Sequence, residues 1–179
     1  ELRTPLSITK EGISLILDKV AGEINEKQQK ILKTVGGNID RLGRLINNLL
    51  DVSKIEAGKM DVHKKEMDIV ELANQVMADF EGMAREKGLE LRVSFPEKKI
   101  GVFADRDKMI QVLTNLINNA LKFTTEGRIE LSGKVNRDEI ECTVADTGIG
   151  ISKENLKRTF QKFQQFGRGP GSGEKGTGL

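Results

Sequence analysis

The chain has 179 residues, 37% of them apolar and 31% charged, which suits one or two domains with long amphipathic helices better than a thick-cored barrel or sandwich. Its 29 basic and 27 acidic residues leave a net charge of +2, so no strong field points to nucleic acid or an anionic membrane surface. The single cysteine, Cys142, excludes an intrachain disulfide and fits a reducing compartment, and one His with one Cys is too few for a zinc site. No apolar run approaches the roughly 20 residues that span a bilayer, and no signal-peptide pattern is present.

Taken in chain order, Leu2, Leu6, Thr9, Ile13, Ile16 and Val20 recur at steps of four and three. Such a seam calls for a packed helical partner. Pro5 falls in the first turns, where its missing N–H is tolerated or kinks the helix. The pattern breaks over residues 21–25, and Asn25 is suited to cap a second helix. A second seam runs through Ile31, Val35, Asn38, Leu42, Leu45, Leu49 and Val52, widened by Leu32, Ile39 and Ile46, and Gly58 marks its end. Two helices joined by a turn form a hairpin, and stripes this broad predict more than one partner. A dimeric four-helix bundle satisfies them; a hairpin packed on its own globular domain is the alternative.

From Met60 the texture changes. Residues 68–88 read as a helix with Ile69, Leu72, Val76, Phe80 and Met83 inward, ending at Gly88. Residues 89–95 alternate as a strand and stop at Pro96. Asp105 caps a helix running to about Phe123. Two alternating strands come next, the second ending at Asp146, and Ser152 can cap a short helix to Arg158. Strands that look antiparallel, interleaved with helices, predict an α+β fold: an α/β sandwich with helices on one face of a mixed sheet.

Three features carry chemistry. Asn115, Asn119 and Lys122 lie at i, i+4 and i+7 on one helical face, opposite Ile110, Leu113, Ile117 and Leu121. An amide oxygen is a hard neutral ligand suited to Mg²⁺, and a nearby lysine neutralises phosphate as a point charge; a solvated amphipathic face is the plain alternative. Asp146-Thr147-Gly148-Ile149-Gly150 comes directly after a strand, where a buried carboxylate can accept from the exocyclic amine of a purine and two glycines admit a ligand close to the backbone. An ordinary Asp-Gly turn would look the same. Phe160, Phe163 and Phe166 precede a glycine-rich run ending in Gly176-Thr177-Gly178, either a phosphate-bordering lid or a linker. It is not a P-loop.

In this order and spacing the three features resemble the N box (115–124), G1 box (146–150), F box (160–163) and G2 box (176–178) of the Bergerat-type ATP-binding domain. Histidine kinases, gyrase, heat-shock chaperones and mismatch-repair ATPases share that domain. Glu1-Leu2-Arg3-Thr4-Pro5-Leu6 resembles the H box of sensor histidine kinases with its leading histidine absent. Ser53-Lys54-Ile55-Glu56-Ala57-Gly58 is similar to the end of their second dimerisation helix. The resemblance covers essentially the whole chain, and the beginning and end of the chain predict a piece of a longer protein.

The resemblance implies a dimerisation and histidine-phosphotransfer hairpin over residues 1–58 and an ATP-binding catalytic domain, C-terminally incomplete, over 59–179. ATP and Mg²⁺ are the implied cofactors. Asn119 would hold the metal, Asn115 and Lys122 the metal-bound phosphates or their waters, and Asp146 the adenine amine. Gly148 and Gly150 would shape the base pocket, Phe160 would anchor the lid, and Gly176, Thr177, Gly178 and Leu179 would border the phosphates. The nucleophile would be an imidazole just before Glu1, with Glu1 as its acid–base neighbour and Thr4 orienting water for dephosphorylation of a response regulator. Partners would be a second copy, through the hairpin, and a response-regulator receiver domain; nucleic acid is not among them. The location would be cytoplasmic, either free or as part of a membrane-bound sensor. The function implied is an ATP-dependent protein-histidine kinase of a two-component system, with an ATP-binding scaffold or phosphatase-biased module as the alternative. The chain as it stands, without the nucleophile, would not phosphorylate itself. Gln165 stands where many relatives carry a lid arginine, which puts a direct γ-phosphate contact there in doubt. His63 lies past the hairpin, in what reads as the first strand of the second domain, and is not expected to accept phosphate.

Overall fold

The computed structural model describes residues 3–159 and 161, which divide into two compact units, one up to Met60 and the other from Asp61. The first is a helical hairpin of α1 (Arg3–Leu17) and α2 (Glu26–Glu56). Asn25 begins α2 as expected. Its side chain accepts from Gln28 N at 2.9 Å, while Gln28 Oε1 accepts from Asn25 N at 2.8 Å, a reciprocal capping box that satisfies two otherwise orphan donors. At the other end Gly58 takes φ +63° and Lys59 N–H donates back to Lys54 O, closing the helix with a left-handed residue.

The two stripes of α2 separate into different faces. Leu32, Ile39 and Ile46 are half-buried with Leu6, Ile13 and Ile16 of α1. Gly36 and Gly43 lie where α1 comes close: a β-carbon at Gly43 would sit 3.2 Å from Leu6 Cδ2. A Lys10–Asp40 ion pair at 2.6 Å lies at the exposed rim. Ile31, Val35, Leu42 and Leu49, from the predicted seam, stay 40–58% exposed. The hairpin thus has one apolar face used within the chain and another left over.

In the second unit, β1 (Lys65–Asp68) pairs antiparallel with β3 (Gly101–Ala104). A three-stranded sheet has the order β2 (Glu90–Ser94), β4 (Arg128–Asn136), β5 (Glu139–Asp146). β4 and β5 are antiparallel, whereas β2 and β4 run parallel, which makes this the expected mixed sheet, although the strands themselves looked antiparallel. The chain returns through β3 and the long helix α5 (Arg106–Phe123) before β4, a crossover that makes parallel pairing possible. One face of the sheet is covered: Leu91, Val93, Ile140, Cys142 and Val144 pack on the core, and the intervening residues of β5 face outward. Ile69, Leu72 and Val76 of α3 (Ile69–Ala78) meet Leu113 and Ile117 of α5 with Ile129 and Leu131 of β4, all 2% exposed or less. Ile110 is only half-buried at the edge of this layer.

The predicted helix over 68–88 is two helices, α3 and α4 (Glu81–Glu86). Phe80 N–H bonds Met77 O, and the buried Phe80 ends the first segment. This tightened turn rotates the phase of α4, so Ala84 is buried (2%) and Met83 faces out (47%). The last helix, α6 (Lys153–Leu156), stops short of Arg158, and Ser152 precedes it without a side-chain capping bond.

Asp105 caps α5 and does more than the sequence suggested. Oδ1 accepts from Asp107 N and Lys108 N, both at 3.1 Å, and Oδ2 from His63 N at 2.7 Å. His63 lies before β1, which begins at Lys65. The bond from the His63 amide, seconded by that from Lys108, holds the Asp105 carboxyl below its usual range. A carboxylate depressed in the folded state stabilises fully above its unfolded pKa, and this contribution vanishes as pH falls through the folded value. Asp105→Asn is expected to lower the melting temperature at pH 7 and to flatten its fall between pH 5 and 3. Melts across that range by circular dichroism check this; parallel wild-type and variant curves would refute it.

Candidate nucleotide site

The face of α5 turned from the core carries Asn115 and Asn119, both exposed, and the half-buried Lys122. Burial of Leu113, Ile117 and Leu121 against the sheet fixes that rotation. Lys122 Nζ lies 5.3 Å from the centroid of the Phe123 ring, a cation–π contact that holds the ammonium near the helix end. From Asn115 to Lys122 the row covers about 10 Å of helix axis.

Asp146 is exposed rather than buried as expected, because it is the last residue of β5 and lies beyond the covered part of the sheet; its Oδ1 accepts from Gly148 N at 2.8 Å. Among the described residues Oδ2 takes no hydrogen bond, and it can accept from a donor outside. The loop then runs onto the C-terminal end of α5: Ile149 N donates to Phe123 O at 3.2 Å. Gly148 is pressed so closely there that a β-carbon would lie 2.5 Å from Phe123 O. Gly150 adopts φ +66°, where a residue without a β-carbon is favoured. The backbone therefore brings Lys122 and the Asp146–Gly150 loop together, with Asn119 one turn further along α5.

Two further residues in this junction went unassigned in the sequence. Thr147 bonds the turn between α5 and β4 through its hydroxyl. Thr124, at 1% exposure, has an Oγ1 with no partner among the described residues. Their long-range neighbours leave no periodic signal. Thr4 is exposed on α1, in the other unit. Glu1, Phe160, Gly176, Thr177, Gly178 and Leu179 lie outside the described residues, as do Phe163, Gln165 and Phe166. Among the described residues no three His, Cys, Asp or Glu side chains gather as a metal site. An ion on the α5 face would rest on amide, phosphate and water oxygens, a donor set that fits Mg²⁺.

Comparison with known proteins adds two matches. Residues 1–58 match the family described as His Kinase A (phospho-acceptor) domain. Residues 104–179 match Histidine kinase-, DNA gyrase B-, and HSP90-like ATPase. Both units of the chain thus match domain families of histidine kinases. The match in the α/β unit is to an ATPase family that includes histidine kinases, and the match in the hairpin is to a phospho-acceptor domain. The chain is similar to Sensor protein SrrB of Staphylococcus aureus, 33% identical over 180 residues covering 100% of the chain and 30% of that protein. It thus spans less than a third of the curated relative's length. Among solved structures it resembles full-length ShkA in complex with AMPPNP, with a TM-score of 0.74 and 25% identity over 90% of this chain and 37% of that one. It shares a fold with histidine kinase ThkA, solved in complex with response regulator protein TrrA, with a TM-score of 0.64 and 23% identity over 92% of this chain and 48% of that one. No described helix is long and apolar enough to cross a membrane.

Proposed function

We propose that the longer protein is an ATP-dependent protein-histidine kinase that phosphorylates its own histidine and passes the phosphoryl group to an aspartate of a response regulator. The observation that carries this reading is the seating of the Asp146–Gly150 loop on the end of the helix that bears Asn115, Asn119 and Lys122. A base-reading carboxylate and a phosphate-facing row then share one junction. Asp146 would accept from the adenine amine through Oδ2, with Gly148 and Gly150 leaving room for the ring. Asn119 would ligate Mg²⁺, and Asn115 and Lys122 would hold phosphate oxygens or their waters. Bound there, the ion would neutralise phosphate charge and orient the γ-phosphoryl group. Gly176 to Leu179 would border the phosphates.

In the transfer, a ring nitrogen of the histidine preceding Glu1 would form a bond to the γ-phosphorus as the bond to the β,γ-bridging oxygen breaks. ADP would leave and the ring proton would pass to the Glu1 carboxylate. Thr4 would orient water for dephosphorylation of the response regulator. The uncovered row Ile31, Val35, Leu42 and Leu49 supports a homodimer through the hairpin. An open groove of about 310 Å³ between α1 and α2, bordered by Leu6, Lys10, Asp40 and Arg44, supports docking of a receiver domain on the hairpin. Dependence on ATP and a regulator supports a cytoplasmic location for this core.

The test is incubation of the full-length protein with γ-labelled ATP. An acid-labile, base-stable label is expected, and Asn119→Ala is expected to slow its appearance by about 100-fold or more. The same variant should lose the Mg²⁺ dependence of nucleotide affinity, read by calorimetry with and without the ion. Tight nucleotide binding without any label would favour the non-transferring module instead.

A further inference from the structure

We infer that Thr147 is a positioning residue for nucleotide-base recognition, acting through the loop that sets the Asp146 carboxylate. Its side chain faces away from Asp146 into the turn between α5 and β4. There Thr147 Oγ1 donates to Glu126 O at 3.0 Å and accepts from Arg128 N at 3.0 Å. Its own N–H donates to Arg128 O at 3.2 Å. With a longer contact from Oγ1 to Arg128 O at 3.4 Å, one residue therefore makes four bonds to Glu126 and Arg128, on either side of Gly127. The space for the hydroxyl is built in: Gly127 has φ +99°, and a β-carbon there would overlap Thr147 Oγ1. Gly127 O in turn accepts from Glu90 N at 3.0 Å, which ties the turn to the start of β2.

The next residue, Gly148, supplies the N–H that holds Asp146 Oδ1 at 2.8 Å. Asp146 is exposed at a strand end, and this amide selects the direction of Oδ2. The place of Gly148 is set from two sides, by Phe123 O beneath it and by Thr147 before it. Without the hydroxyl, Glu126 O and Arg128 N turn to water, the loop gains freedom, and the carboxylate samples other rotamers. Contacts of the α5 row with phosphate are untouched. The loss should therefore fall on the base and spare the triphosphate.

This inference rests on Asp146 reading the adenine amine, and the experiment separates the two. Affinities for ATP and for purine riboside triphosphate, which lacks only the 6-amino group, are measured by calorimetry in the full-length protein. Wild type should prefer ATP. Thr147→Val, close in shape and without hydrogen-bonding capacity, should lose about tenfold in ATP affinity and leave the analogue within about twofold, as expected for one misdirected hydrogen bond. Thr147→Ser, which keeps the hydroxyl, should restore the preference. If Thr147→Val gives no cooperative melt, Thr147→Cys, whose thiol is only a weak donor and acceptor, is read by the same criteria. Equal loss of both nucleotides, or an unchanged preference, overturns the role of Thr147 alone. A wild-type protein that does not discriminate the two overturns the Asp146 reading, and this inference with it.

Discussion

Asp146→Asn is expected to lower ATP affinity by about 10- to 100-fold, the range for a charge-assisted hydrogen bond lost at a ligand. The reason lies in the number of acceptors. Asp146 Oδ1 is engaged by Gly148 N–H at 2.8 Å, and an incoming amine needs the second oxygen. Asparagine has one carbonyl oxygen and an NH₂ group that only donates. If its oxygen keeps the loop bond, the NH₂ faces the adenine amine, donor against donor. If it turns to serve the adenine, the Gly148 amide faces the NH₂. Neither state satisfies both partners. Calorimetric titration of the full-length protein with ATP and Mg²⁺ checks this, alongside a melt to show that the variant is folded. Unchanged affinity would mean that Asp146 does not contact the base.

The second large effect is expected from Gly148→Ala. The added methyl would lie 2.5 Å from Phe123 O, 2.8 Å from Asp146 Oδ1 and 2.9 Å from Phe123 C. Two of these atoms are backbone at the end of α5, which cannot give way without moving Lys122. Overpacking of this kind costs about 1–3 kcal/mol. Here it would open the junction itself, so ATP affinity should fall by about 10- to 100-fold with a lowered melting temperature. Gly150→Ala is the control. Among the described residues no atom beyond its chain neighbours lies within 4 Å of its β-carbon, and its φ of +66° opposes a side chain, a conformational cost of about 1–2 kcal/mol. It should lower the melting temperature and change ATP affinity less than Gly148→Ala does. If the two variants bind ATP alike, the close contact with Phe123 does not shape the site.

Features legible in the sequence were those settled within a few residues. Asn25 and Gln28 complete their capping box across one helical turn, and Asp105 caps α5 through amides two and three residues ahead. The rotation of α5 was readable too, because its apolar residues leave Asn115, Asn119 and Lys122 on the other side. Where packing competes with local pattern, the pattern misleads. The helix over 68–88 breaks at Phe80, whose burial fixes a turn that periodicity continued through, and Met83 is left outside. Parallel pairing of β2 with β4 left no trace in either strand, since alternation reports a covered face and not a direction.

By itself, then, the sequence determined the hairpin, the capped α5 with its polar row, the strand that ends at Asp146, and the family through the spacing of its motifs. Each depends on periodicity, caps or short-range order along the chain. Tertiary structure alone decided which stripe of α2 packs within the chain and which remains uncovered. It also decided that Gly148 meets Phe123 O, and that Thr147 bonds the turn at Glu126 and Arg128. The bonds of Thr147 join residues 19 and 21 positions apart. Whether they form depends on how β4 and β5 pair and where α5 ends, and neither is encoded in the threonine or its neighbours.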